Sequence, residues 1–133
     1  MTRGTNLSKH VFLSFVEEDL ALVRLFRGQA QNKNSALEFA DYSVKIPYNS
    51  TNAAYIRTQI AQKISASSVT IVLIGATTYS STWVKWEIEK SDELGNKVIG
   101  VKLPSAGSTP SALTAIGATV LSWDIAAIVK AIG

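Results

Sequence analysis

The sequence predicts an α/β protein of flavodoxin-like, three-layer architecture, with a five-stranded parallel sheet of order 2-1-3-4-5 between helices. Apolar runs at 11–15, 69–74 and 98–101 read as strands covered on both sides. Segments with helical spacing separate them. The resulting order β-α-β-α-β-α-β, then an unassigned stretch, one more strand and one more helix, calls for right-handed crossovers between parallel strands.

Each element has a local reason. His10–Val16 (HVFLSFV) is apolar, aromatic and β-branched, as a buried strand requires. Glu17, Glu18 and Asp19 follow, where the dipole of a starting helix favours carboxylates. From Asp19 to about Gln31, Leu22, Phe26 and Ala30 recur at helical spacing. Ala36–Ala40 reads as the second strand, and Asp41–Thr51, with Pro47 and several turn formers, as a loop. Ile56, Ile60 and Ile64 carry a helix over Asn52–Ser65. Val69–Ile74 (VTIVLI) is the plainest strand and ends at Gly75. A helix is expected from Trp83 to Leu94, stopped by Gly95 and Asn96. Lys97–Leu103 is the fourth strand, Pro104–Ser111 a loop of small residues, Ala118–Ser122 the fifth strand and Ile125–Ile132 the last helix.

Composition narrows the function. At 133 residues the chain suits one domain, expected over 9–133 with a flexible tail at 1–8. The absence of cysteine excludes disulfides, thiolate metal sites and a cysteine nucleophile. A single histidine, His10, argues against histidine-rich zinc sites and most Ser/His/Asp chemistry. Thirteen basic against ten acidic residues give a formal charge of +3, with the cations scattered, so no nucleic-acid stripe is indicated. Apolar runs of about six residues fall far short of the roughly 20 that span a bilayer, and no secretory leader is evident. A cytoplasmic protein without membrane or nucleic-acid partners is expected.

Ligands of such sheets bind beyond the carboxyl ends of the strands where the order reverses, here between the loops after strands 1 and 3. Acidic residues at 17–19 oppose a flavin-phosphate site, and neither a G-x-G-x-x-G loop nor a Walker A lysine loop is present. A phospho-acceptor receiver needs an aspartate ending strand 3, where this chain has Ile74-Gly75-Ala76-Thr77. The informative stretch is Thr78–Glu89 (TYSSTWVKWEIE). Trp83 and Glu87, four apart, share a helix face. An aromatic beside a carboxylate suits a cationic, planar, sugar-bearing substrate. Trp83, Trp86 and Ile88 equally suit a core, and Glu87 a helix-dipole partner, although Val84 rules out a capping box with Glu87.

HVFLSFVEEDL resembles the opening motif of TIR domains, a V-F-x-S-F strand running into an acidic loop. TYSSTWVKWEIEKS is similar to the TIR stretch in which Tyr, Ser, Trp and, four residues after the Trp, a Glu follow the third strand. The likeness continues through NKVIGVKL and covers roughly 9–103. With LEFADYS, NSTNAAYIRTQI and SSVTIVLIGATTYSSTWVKWEIE, the chain most resembles the small prokaryotic TIR-like group that includes the TIR proteins of Thoeris anti-phage systems.

The resemblance implies a TIR fold and, for active members, cleavage of NAD at the nicotinamide–ribose bond, giving linear or cyclised ADP-ribose. NAD is then a substrate and no bound cofactor or metal is implied. Matched residue by residue, the catalytic glutamate falls on Glu87 and the helix-start tryptophan on Trp83. Ser14, Phe15 and Val16 fall on the strand-1 edge of the pocket, and Asp41 and Tyr79 on its further rim. The resemblance also implies TIR–TIR self-association and a diffusible nucleotide acting on a separate effector. Other members are adaptors without activity, so a non-catalytic interaction module is the alternative.

Overall fold

A computed structural model describes residues 8–42 and 47–133. Five parallel strands, β1 (Lys9–Ser14), β2 (Leu37–Asp41), β3 (Val69–Ile74), β4 (Lys97–Lys102) and β5 (Thr119–Leu121), form one sheet of order β2-β1-β3-β4-β5. The helices are α1 (Leu20–Lys33), α2 (Ala53–Ser65), α3 (Thr82–Glu93), α4 (Ser111–Ala115) and α5 (Ile125–Ile132). Fold class and strand order are those the sequence predicts. No helix among the described residues is long and apolar enough to cross a membrane.

The two-residue period of the strands divides the core. Val11, Leu13, Val69, Ile71, Leu73, Ile99 and Val101 pack with Val23, Phe26 and Ala30 of α1 and Ile128 and Ile132 of α5. On the other face, Phe12 meets Ala53, Ile60 and Ile64 of α2 and Trp83 of α3. Val72 and Ile74 meet Val84 and Ile88 of α3 and Leu113 of α4. The central strand β3 is buried throughout, which explains its unbroken apolar run.

Boundaries differ where tertiary contacts outweigh local signal. β1 stops at Ser14, and a single 3-10 turn at Glu17–Asp19 precedes α1, which runs on to Lys33. β2 is shifted by one residue and includes Asp41. A second 3-10 turn, Thr78–Ser80, leads to α3, whose first amides are capped by Ser81 Oγ accepting from Val84 N. Gly95, at φ 84°, ends α3 in the left-handed region that glycine tolerates. The short α4 occupies the stretch left unassigned, since five residues are too few to display a period. Residues 1–7 of the expected tail at 1–8, and 43–46 of the expected loop, lie outside the described residues.

Candidate active site

Two elements bring the candidate residues together. Ser14 is the last residue of β1, and alternation turns it toward the face that carries α2 and α3. Ser81 starts α3, so Trp83 lies in its first turn and Glu87 one turn later on the same face. Ser14 Oγ donates to Glu87 Oε1 at 2.6 Å, and both residues are completely buried. Trp83 is 8% exposed. Trp83 and Glu87 are both on the buried side of α3, and Ser14, expected at the strand-1 edge of the pocket, is hydrogen-bonded to Glu87.

One turn further along α3 the arrangement repeats. Ser91 and Thr70, both wholly buried, lie 2.8 Å apart through their hydroxyls. Asn96 Nδ2 donates to Thr70 Oγ1 at 3.2 Å and to the Ile64 carbonyl at 3.1 Å. Glu87 and Ser91 thus form a polar stripe along the buried side of α3, bound to β1 through Ser14 and to β3 through Thr70. Sequence reasoning missed Thr70, Ser91 and Asn96. Their one signal is a serine four residues after Glu87, on a face otherwise filled by apolar residues.

Aromatic rings gather around Trp83. Tyr48 meets Trp83 edge-on, with centroids 5.1 Å apart and planes at 71°, and Trp86 meets it at 6.3 Å and 85°. The Arg57 guanidinium lies 4.9 Å from the Tyr48 ring and donates to the Tyr48 carbonyl at 3.4 Å. Tyr48 belongs to the segment the sequence reads as a loop, and nothing local marks it as a neighbour of Trp83. The sequence reading places Glu87 beside an open crevice, whereas here its side chain is enclosed. The hollows lined by Tyr79 and Lys85, by His10 and Glu38, and by Arg57 and Trp86 do not include it.

Phe15 points to the opposite face and packs in the α1/α5 core. Val16 is half-buried against Val72, Ile74 and Val84. Asp41 accepts from Arg27 Nη1 at 2.9 Å. Tyr79 is 55% exposed, beside Ser80, Thr82 and Lys85 in a shallow hollow.

The crevice between the loops after β1 and β3 is occupied by Asp19. A Cβ on Gly75 would overlap its carboxyl group, so glycine at 75 makes room for that side chain. Asp19 Oδ2 is buried without a hydrogen-bond partner among the described residues. Burial, and secondarily the Glu18 charge, raise the Asp19 pKa above its ordinary 3.8. Gly75 N–H donates to Thr78 Oγ1 at 2.8 Å, tying the start of this loop to the turn before α3.

Comparison with known proteins bears on the family and the fold. The chain is 35% identical over 101 residues to "Putative cyclic ADP-D-ribose synthase ThsB1" of Bacillus cereus (strain MSX-D12), covering 73% of this chain. It spans 53%, about half, of that relative's length. Two solved structures share the fold. A 2-deoxyribosyltransferase from Bacillus psychrosaccharolyticus matches with a TM-score of 0.62 at 18% identity, over 91% of this chain and 90% of that one. The TIR domains of the Roq1 resistosome, which recognises the effector XopQ, match with a TM-score of 0.52 at 22% identity, over 71% and 57%. A family model described as Thoeris protein ThsB, TIR-like domain, matches residues 12–108, and by that match the chain belongs to the ThsB TIR-like family.

Proposed function

We propose that this chain cleaves NAD at the nicotinamide–ribose bond, with Glu87 as the catalytic carboxylate. The observation that carries this reading is the buried 2.6 Å hydrogen bond from Ser14 to Glu87, at the carboxyl end of β1 and one turn along α3 from Trp83. The name of the Bacillus cereus relative, "Putative cyclic ADP-D-ribose synthase ThsB1", supports the same chemistry.

Nicotinamide in NAD is already a cationic leaving group, so its departure with the bonding electron pair needs no general acid. The ribosyl centre left behind is oxocarbenium-like, as in glycoside hydrolysis, and one held carboxylate stabilises it. Water then adds to that carbon and releases a proton to give ADP-ribose, or a ring nitrogen of the adenine adds to give a cyclic product. Ser14 holds the Glu87 carboxyl group, and Trp83 offers a face to a planar ring. NAD serves as substrate, and no bound cofactor takes part. Substrate access to Glu87 requires its surroundings to open, because the side chain is wholly buried. Ser14, Phe15, Val16, Asp41 and Tyr79 remain the proposed pocket residues. In a defence role, the product acts on a separate effector, and self-association of this domain accompanies activity in the cytoplasm.

The complete burial of Glu87 favours a second reading, a non-catalytic interaction module in which Ser14 and Glu87 are a structural pair. Incubation of the full chain with NAD, followed by chromatography of nicotinamide, separates the two. Release by the parent protein and its loss in a folded Glu87→Gln variant support the enzyme. No release at high protein concentration, with or without extract from phage-infected cells, supports the module.

A further inference from the structure

A second hollow lies away from Glu87, between α2 and α3. Its volume is about 340 Å³, and its walls are Ala54, Arg57, Thr58, Ala61, Trp86 and Lys90. That is within the range of roughly 300–1,000 Å³ common to small-molecule sites. It is an open hollow in which Trp86, half-buried, lies among small and cationic side chains.

The charge of this hollow is one-sided, since both ionisable wall residues are cations. Among the described residues Arg57 meets no carboxylate; its contacts are the Tyr48 ring and the Tyr48 carbonyl. Lys90 Nζ lies 5.8 Å from the Trp86 ring centroid and 2.8 Å from Glu93 Oε2. Glu93 is 66% exposed, and an ion pair so placed is worth little, so Lys90 can leave it at small cost. A guanidinium and an ammonium beside one half-buried indole suit a phosphate joined to a planar ring.

We propose that the α2–α3 hollow binds a nucleoside phosphate, its phosphate between Arg57 and Lys90 and its base along Ala54, Ala61 and Trp86. This holds whether or not Glu87 cleaves NAD, because it uses none of the Ser14–Glu87 pair.

Calorimetric titration of the full chain with AMP tests it, with adenosine and inorganic phosphate as partial ligands. AMP is expected to bind at one site more tightly than either part. Arg57→Gln and Lys90→Gln should each weaken AMP about tenfold or more, the weight of one hydrogen bond to a charged group. Arg57→Lys should recover part of that loss, and Glu87→Gln should leave AMP affinity unchanged. Absence of saturable AMP binding overturns the proposal. So does inorganic phosphate binding as tightly as AMP, or AMP binding that Glu87→Gln abolishes while Arg57→Gln and Lys90→Gln spare it. Because the readout is equilibrium binding, a protein that never releases nicotinamide can still pass or fail it.

Discussion

Ser14 Oγ donates to Glu87 Oε1 at 2.6 Å, and both side chains are wholly buried although 73 residues separate them. The bond ties the end of β1 to the second turn of α3. Its burial gives it weight, because removing one partner of a buried polar pair costs more than the bond itself contributes.

Ser14→Ala is therefore expected to lower unfolding free energy by about 1–3 kcal/mol, read from urea denaturation. If Ser14 holds the carboxylate for NAD cleavage, the same variant loses about tenfold in nicotinamide release, with a shallower loss than Glu87→Gln. Unchanged stability would show that the hydrogen bond is not maintained in solution.

How much of this was legible beforehand depends on the range over which each contact is encoded. Val69–Ile74 and Ile125–Ile132 were readable because burial writes itself into a local run or period. The shared face of Trp83 and Glu87 was readable for the same reason, being a spacing of four. Phe15, next after Ser14, packs in the α1/α5 core, a placement that depends on long-range packing rather than on a local pattern. Tyr48 over Trp83 and Thr70 under Ser91 join distant segments, and such pairings depend on sheet register and helix rotation. Enclosure of Glu87 is likewise a product of packing by α2, α3 and the segment carrying Tyr48.

The Thr70–Ser91 pair offers a second measurement. Thr70→Val keeps the shape and removes the hydroxyl that Ser91 and Asn96 Nδ2 both approach. It should destabilise the fold by about 1–3 kcal/mol. Adding Ser91→Ala to it should cost less than Ser91→Ala does alone, since the two share one interaction. Strict additivity in urea denaturation would contradict a coupled pair.

Gly75 and Asp19 form another coupled pair, through space rather than through a bond. Gly75 is not among the glycines with positive φ, so its backbone admits a side chain, and the three atoms nearest an added Cβ all belong to the Asp19 carboxyl group. Gly75→Ala should cost about 1–3 kcal/mol as an overpacked site. In an Asp19→Ala background most of that cost should disappear. Equal costs of Gly75→Ala in both backgrounds, by the same denaturation assay, would place the clash elsewhere.

Asp19 also has a pH signature. Its folded-state pKa is raised above 3.8, first by burial and then by the Glu18 charge. An acid raised in this way holds its proton more tightly in the native state than in the unfolded chain. Its favourable contribution is present below about 3.8 and is lost as pH rises through the folded value. Asp19→Asn cannot lose that proton. The variant should therefore gain stability relative to the parent as pH climbs from 3.8 through the raised value, after which the difference levels off. Urea midpoints for both proteins across the acid range give the comparison. A gap that stays constant, or narrows as pH rises, would mean that the carboxyl group is solvated rather than pressed against Gly75.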